Sequence, residues 1–289
     1  MRATAAALLA AATLALGCGA PEAVAPPPGS ERAFRGIGGD GPLVVWAIGD
    51  GADGRAPARE LAARIARDRP DRVLYLGDVY EEGTADEFER KVRGPYRPLL
   101  ERMLPTPGNH EWHSRDEGYD PFWRSVTGAP TPPWYRVRLG AWEALSLNSQ
   151  APHDEGSPQL AWLRQRLRRP GTCRIAFWHR PRFSAGKHGE DKDLEPLWDA
   201  VAGRAAVVLW GHDHNLQRFH PIRGTVAMVS GAGGRELYDV DGTDPRLAFS
   251  DDQTYGGVRL VLRPDSADVA FVALDGRVLD RSRVRCTSS

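Results

Sequence analysis

Residues 43–51 read LVVWAIGDG, and residues 73–80 read VLYLGDVY. Each is a solid apolar run that stops at Gly-Asp. A run of this length without polar alternation reads as a strand covered on both faces. Between the two lies a helical pattern near 57–69, with Pro57 in its first turn, Leu61 and Ile65 on one face, and Pro70 ending it. The order is therefore strand, helix, strand, which predicts an α/β fold. A carboxylate sits at the C-terminal end of each strand, Asp50 and Asp78. Ligand chemistry in α/β folds gathers at that edge.

Further along, residues 88–104 read as helical pieces broken by Pro95 and Pro98, and residues 106–110 (TPGNH) as a loop. Residues 134–148 suggest a hairpin turning at 139–142. Ser157 and Pro158 open a helix to about Arg168, with Leu160, Leu163 and Leu167 on one face. Strands are expected at 174–178 and 205–210, followed from 224 to 274 by short β runs between glycine turns. No internal repeat or second linker appears, so a single domain is expected from about 42 to 286.

The chain has 289 residues, 26% of them charged, and a formal net charge of zero. Composition gives no case for a nucleic-acid partner. Residues 3–16 form an Ala/Leu run of 14 after Met1-Arg2, too short to span a bilayer, which takes about 20 apolar residues. They fit the apolar part of an export signal. The run ends in Leu14-Ala15-Leu16-Gly17-Cys18, which resembles the lipobox of bacterial lipoproteins, with Ala15 where a Leu is usual. The expectation is an export signal over 1–18, a lipid-anchored envelope protein, and contact with membrane only through that anchor. An ordinary cleaved signal is the alternative. Residues 19–41, rich in Ala, Pro and Gly, read as a flexible tether. Cys173 and Cys286 then remain. An even remainder in an exported protein suggests a disulfide, which would pin the C-terminal tail to the sheet; two free thiols are the alternative.

Chemistry-bearing residues collect at the strand ends: Asp50, Asp78, Asn109 and His110, His179, and His212 with His214. Singly, each has a plainer reading. A Gly-Asp turn is usually turn chemistry, and a buried histidine usually a hydrogen-bonded core residue. As a set, hard carboxylates and imidazoles suit a pair of divalent or trivalent metal ions. A structural zinc site would want cysteines here, and none is near.

The blocks GDG (49–51), GDVY (77–80), GNHE (108–111), WHRP (178–181) and GHDH (211–214) resemble the five motifs of the calcineurin-like metallophosphoesterases. Asp50, Asp78, Asn109, His179 and His212 are separated by 28, 31, 70 and 33 residues. GHDHNLQ (211–217), His188 nine residues after His179, and the stretch 147–167 are similar to single-domain purple acid phosphatases of bacterial type. The resemblance implies a four-layer α/β/β/α sandwich with two mixed β-sheets. It implies that Asp50 and His214 bind a first metal, that Asp78 bridges, and that Asn109, His179 and His212 bind a second. His110 and His188 would face the substrate as general acid or phosphate contacts, and Glu111 would hold His110 in orientation. The implied cofactors are two metal ions, iron with zinc, manganese or a second iron. The implied reaction is hydrolysis of a small phosphate monoester by a metal-bound hydroxide. A phosphodiesterase or nucleotide-cleaving enzyme of the same fold is the alternative, and a non-catalytic surface lipoprotein a more distant one. One departure stands out. The subgroup's iron-binding tyrosine lies three residues after the bridging Asp, whereas Tyr80 lies two after Asp78.

The remaining candidates carry less. His113, His153 and His220 match no motif and read as surface or turn residues. Arg180 could contact phosphate or simply be solvated. The glycines of 231–234 (GAGG) lack dinucleotide-loop spacing and read as backbone passing close beneath the site. His212 and His214 alternate, so an extended segment would turn both to one side, with the structural Asp213 facing away.

Overall fold

The structure, a computed structural model, describes residues 24–169 and 172–286. The expected export signal, Cys18 and the first part of the tether lie outside these residues.

Two mixed sheets face each other. The six-stranded sheet runs Val278–Arg285, Ser266–Ala273, Gly256–Leu262, Leu43–Ile48, Arg72–Tyr75, Met103–Pro105. Its last three strands are parallel, with Val45 opposite Arg72 and Val73 opposite Met103, and the others pair antiparallel. The seven-stranded sheet runs Leu247–Asp251, Leu216–Phe219, Val226–Ser230, Val207–Trp210, Cys173–Phe177, Trp142–Ser146, Tyr135–Leu139. Its four middle strands are parallel.

Strand periodicity builds the layers. Ile175, Phe177, Val207 and Leu209 belong to the core cluster shared with Val45 and Ala47 of the first sheet. Their alternates Ala176, Trp178, Val208 and Trp210 pack outward with Leu160, Leu163, Leu197 and Trp198. Those last four come from the helices Pro158–Leu167 and Glu195–Val201. The helix Ala56–Asp68 buries Leu61 and Ile65 against the first sheet, and its Asp68 accepts a hydrogen bond from Trp46 Nε1 at 2.7 Å. The result is the α/β/β/α sandwich.

The hairpin and the Ser157-capped helix stand where the residues place them; Ser157 accepts from the Leu160 amide at 3.2 Å. Cys173 and Cys286 are joined by a disulfide across a Cα separation of 5.2 Å.

Three expectations need correction. Met103–Pro105, placed among helical pieces, is an edge strand buried along its length. A short helical turn ends at Arg102, and a proline is tolerated because an edge strand need not donate on its open side. Leu216–Phe219, following the GHDH block, is a strand that the apolar runs did not reveal. Part of the expected tether also packs on the domain. Phe34 is buried and stacks on Tyr135 at 4.4 Å between ring centres, and Ile37 bridges to Leu139.

Candidate active site

The parallel strands of both sheets deliver their C-terminal ends to one place. Leu43–Ile48 leads to Asp50, Arg72–Tyr75 to Asp78, Met103–Pro105 to Asn109, Cys173–Phe177 to His179, and Val207–Trp210 to His212. The chain turns hard at three of these residues. Asp50, Asp78 and His212 have φ of 61°, 68° and 68°, a left-handed region sparsely used by side-chain-bearing residues and concentrated at functional sites. Close backbone approach completes the cradle. A Cβ on Gly211 would stand 2.9 Å from Asp50 Oδ2, and one on Gly233 2.9 Å from the Gly51 amide nitrogen. The glycines after Ser230 thus lie under the site, as their spacing suggests.

The donor atoms form two groups. In one, His179 Nε2 is 3.0 Å from Asn109 Oδ1, 3.1 Å from His212 Nδ1 and 3.3 Å from Asp78 Oδ1. The ligand atoms of Asp78, His179 and His212 all lie within 4.8 Å of one another. In the other, the Tyr80 hydroxyl is 2.8 Å from Asp50 Oδ1 and 2.9 Å from His214 Nε2, and His214 Nε2 is 3.5 Å from Asp50 Oδ1. Spacings near 3 Å are those between neighbouring donors around an ion with bonds of about 2.1 Å. The residues therefore fit metal ions: donor type and spacing agree. Tyr80 joins the second group although it follows Asp78 by only two residues.

Hydrogen bonds behind the ligands aim them. His179 Nδ1 bonds the Leu76 carbonyl at 2.7 Å, and His214 Nδ1 the Glu236 carbonyl at 2.8 Å, so both present Nε2 to the site. Asp50 Oδ2 accepts from the His212 amide at 2.8 Å.

His212 and His214 both reach the site, but not from an extended strand. Besides the left-handed His212, the Asp213 amide donates to Gly211 O and the Asn215 amide to Asp213 O. These consecutive tight turns aim the two imidazoles at different donor groups. Asp213 is buried on the far side, where Ser184 and Asn215 hold its carboxylate.

Electrostatics sort the groups. Burial would depress the His179 imidazole, but the carboxylate of Asp78, with Asp50 and Glu111, raises it to about 9. Burial likewise opposes charge on Asp78, yet His179 and His110 hold its carboxyl well below the ordinary range. Burial, then the neighbouring His179 and His188, push His212 down to about 2, so it stays neutral.

At the rim, His110 Nε2 is 3.7 Å from Asp78 Oδ2, and its ring lies 4.4 Å from that of Tyr80. The His188 ring lies 4.0 Å from that of His212. Glu111 does not play the expected part. The His110 ring is held by the Glu81 carbonyl at 2.5 Å. Glu111 is buried, and its carboxylate accepts the amides of Gly108 at 2.8 Å, Val79 at 3.1 Å and Asp78 at 3.2 Å. It fastens the Asp78 turn to the GNHE turn, since three convergent N–H groups attract a carboxylate more strongly than one imidazole. Arg180 is ion-paired with Asp191 at 2.9 Å. His153 is buried, not on the surface, bonding the Ala151 carbonyl at 2.7 Å. Tyr238, which no sequence motif marks, stacks on His214 at 4.1 Å, with Lys187 Nζ 3.9 Å from its ring centre. A lone tyrosine in an irregular stretch leaves no signal.

A two-sheet sandwich that gathers carboxylates and imidazoles at one edge has the donor set of a metal-dependent hydrolase. The calcineurin-like phosphoesterase family model matches residues 43–216, and the chain belongs to that family. It is 24% identical to tartrate-resistant acid phosphatase type 5 of Mus musculus over 270 residues, covering 78% of this chain and 81% of that one. An uncharacterized protein of Mycobacterium tuberculosis is 26% identical over 264 residues, 75% of this chain and 47% of that one. Among solved structures, purple acid phosphatase PPD1 of yellow lupin superposes with a TM-score of 0.76 at 17% identity, over 86% of this chain and 54% of that one. The chain thus spans about half the length of the lupin protein. GAP50 of Plasmodium superposes with a TM-score of 0.71 at 13% identity, over 85% and 89%.

Proposed function

We propose that this phosphoesterase hydrolyses phosphate monoesters in the manner of acid phosphatases, with two metal ions. The observation that carries the reading is two donor groups at one sheet edge, Asp78, Asn109, His179 and His212 in one and Asp50, Tyr80 and His214 in the other. Asp50, Tyr80 and His214 would hold one ion, Asn109, His179 and His212 the other, and Asp78 would serve both. The phenol of Tyr80 among the donors favours iron in the first position, with zinc, manganese or a second iron in the other. Bound ions would supply Lewis-acid polarisation of the phosphoryl oxygens and an activated water near neutral pH.

The chain's own residues do the rest. The carbonyls of Leu76 and Glu236 hold Nδ1 of His179 and His214, so each ring already turns Nε2 towards the site. Asp50, Asp78, Tyr80, His179 and His214 are buried, His212 and His110 are half-buried, and Asn109 and His188 are exposed at the edge where a substrate would arrive. The imidazole of either His110 or His188 can place a proton on the departing alkoxide oxygen. No serine or cysteine nucleophile lies among the donors, so a covalent intermediate is not required. An export signal and lipidated Cys18 would put this activity outside the cytoplasm on a membrane anchor.

Metal analysis of the purified protein, with rates on p-nitrophenyl phosphate and bis(p-nitrophenyl) phosphate, tests the reading. Two ions per chain and faster monoester hydrolysis are expected. A preference for the diester, or full activity with one ion, would overturn it.

A further inference from the structure

The turn that carries Tyr80 is held by residues outside the ligand set. Glu87 opens a short helical stretch, and its carboxylate accepts the amides of Glu81, Glu82 (3.0 Å) and Thr84 (3.1 Å). Lys91, one turn on, donates from Nζ to the Tyr80 carbonyl and lies 3.0 Å from Glu87 Oε1. The two side chains are only 14% and 12% exposed, so water screens this pair less than an ordinary surface pair. Burial would raise the Glu87 carboxyl, but Lys91 and the three amides hold it at about 2.

Lys91 lies on the wide helical turn Phe88–Arg93, a geometry that recurs at functional sites. Its alkyl stem packs under Gly54, whose absent Cβ would stand 3.5 Å from Cγ and Cε. That loop follows Asp50, and the Tyr80 amide donates to its Ala52 carbonyl at 3.1 Å. On the opposite face, the Arg235 guanidinium sits 4.5 Å over the Tyr80 ring, pairs with Glu81 at 2.6 Å, and its amide donates to Asp50 O at 3.2 Å. The residue type is informative too. The chain holds 38 Lys and Arg, and only positions 91, 187 and 192 are Lys. A compact ammonium can reach one carbonyl and one carboxylate in a narrow slot; a planar guanidinium fork demands more room and more acceptors.

We propose that Glu87 and Lys91 are positioning residues: together they fix the turn 80–84 so that the Tyr80 phenol meets Asp50 and His214 and the Glu81 carbonyl meets His110. The consequence for metal binding rests on the reading of this site as a metal centre; the fixing of the turn does not.

The test uses the full chain with Glu87→Gln and Lys91→Met, two substitutions that keep side-chain length. Amide hydrogen exchange of residues 80–84 is measured by mass spectrometry on protein stripped of metal, with helix 158–167 as the internal control. The visible spectrum is then recorded after loading with ferric iron. Exchange over 80–84 should quicken roughly tenfold or more in both variants while the control is unchanged, and any phenolate-to-iron band should shift or fade at equal iron content. Unchanged exchange, or a wild-type band that persists in both variants, overturns the proposal. Quickened exchange with no band even in the iron-loaded wild type supports the positioning role and instead removes Tyr80 from the ligands.

Discussion

His179 Nε2 lies 3.3 Å from Asp78 Oδ1, and both side chains are buried. Without a metal ion the two form an ion pair, since Asp78 against the burial penalty keeps the His179 imidazole protonated up to about pH 9. The proton occupies the nitrogen a metal would take, because Nδ1 is committed to Leu76. A metal must displace it, so affinity should rise with pH up to about 9, by up to roughly tenfold per unit. The stability of the metal-free protein should move oppositely. A histidine raised above its ordinary value of about 6.5 stabilises fully below that pH, and its contribution fades as pH rises to about 9. Calorimetric metal titrations at pH 7 and 9.5 in buffers of different ionisation enthalpy check the first point. Urea unfolding with chelator at pH 6 and 9 checks the second. A pH-independent affinity would contradict the pair.

Glu111→Gln tests the corrected role of that residue. Each carboxylate oxygen faces an amide hydrogen, Oε1 those of Gly108 and Asp78, and Oε2 that of Val79. A carboxamide must turn its NH₂ towards one of them. Leaving a buried amide unpaired costs about 1–3 kcal/mol. The urea midpoint should drop accordingly, and metal affinity should fall with it because Asp78 loses its anchor. Wild-type stability and metal affinity in this variant would contradict the fastening role.

His110→Ala should behave in the reverse way. The imidazole is part-exposed and its one strong bond is to the Glu81 carbonyl, so stability should change by less than about 0.5 kcal/mol. Both ions should remain. Alkyl phosphates, whose departing oxygen needs a proton, should slow by about 10²–10⁴-fold, and p-nitrophenyl phosphate far less. Equal slowing of both would transfer the general-acid role to His188, for which the same pair of substrates serves.

Asp50, Asp78 and His179 were legible because each stands within two residues of an unbroken apolar run, and a strand end is where the fold puts its chemistry. The alternation along Ile175–Phe177 and Val207–Trp210 is invisible in sequence, since both faces are apolar there and only the two clusters separate them. The turn at His212 is not legible, because a left-handed backbone at a non-glycine residue leaves no mark in composition. The part Glu111 plays is hidden in sequence because its partners are backbone amides, which every residue but proline possesses. Tyr238, Arg235 and Lys91 come from loops and an irregular helix whose course depends on packing across distant segments. A single side chain there carries no periodicity to read.

The disulfide offers a prediction separate from catalysis. Cys173 opens a central strand of one sheet, and Cys286 follows the outermost strand of the other, with a sequence separation of 113. Among the described residues that outer strand, Val278–Arg285, pairs with one neighbour and exposes Val278, and the crosslink ties its C-terminal end to the other sheet. Constraining a loop of this length in the unfolded chain contributes about 2–5 kcal/mol. Cys173→Ser with Cys286→Ser should lower the unfolding free energy from urea titration by that amount, and reductant should do the same to the wild type. Initial rates at 25 °C should be unchanged, because Cys173 stands at the opposite end of its strand from His179. Unfolding that is insensitive to reductant would mean that the bridge does not form in solution.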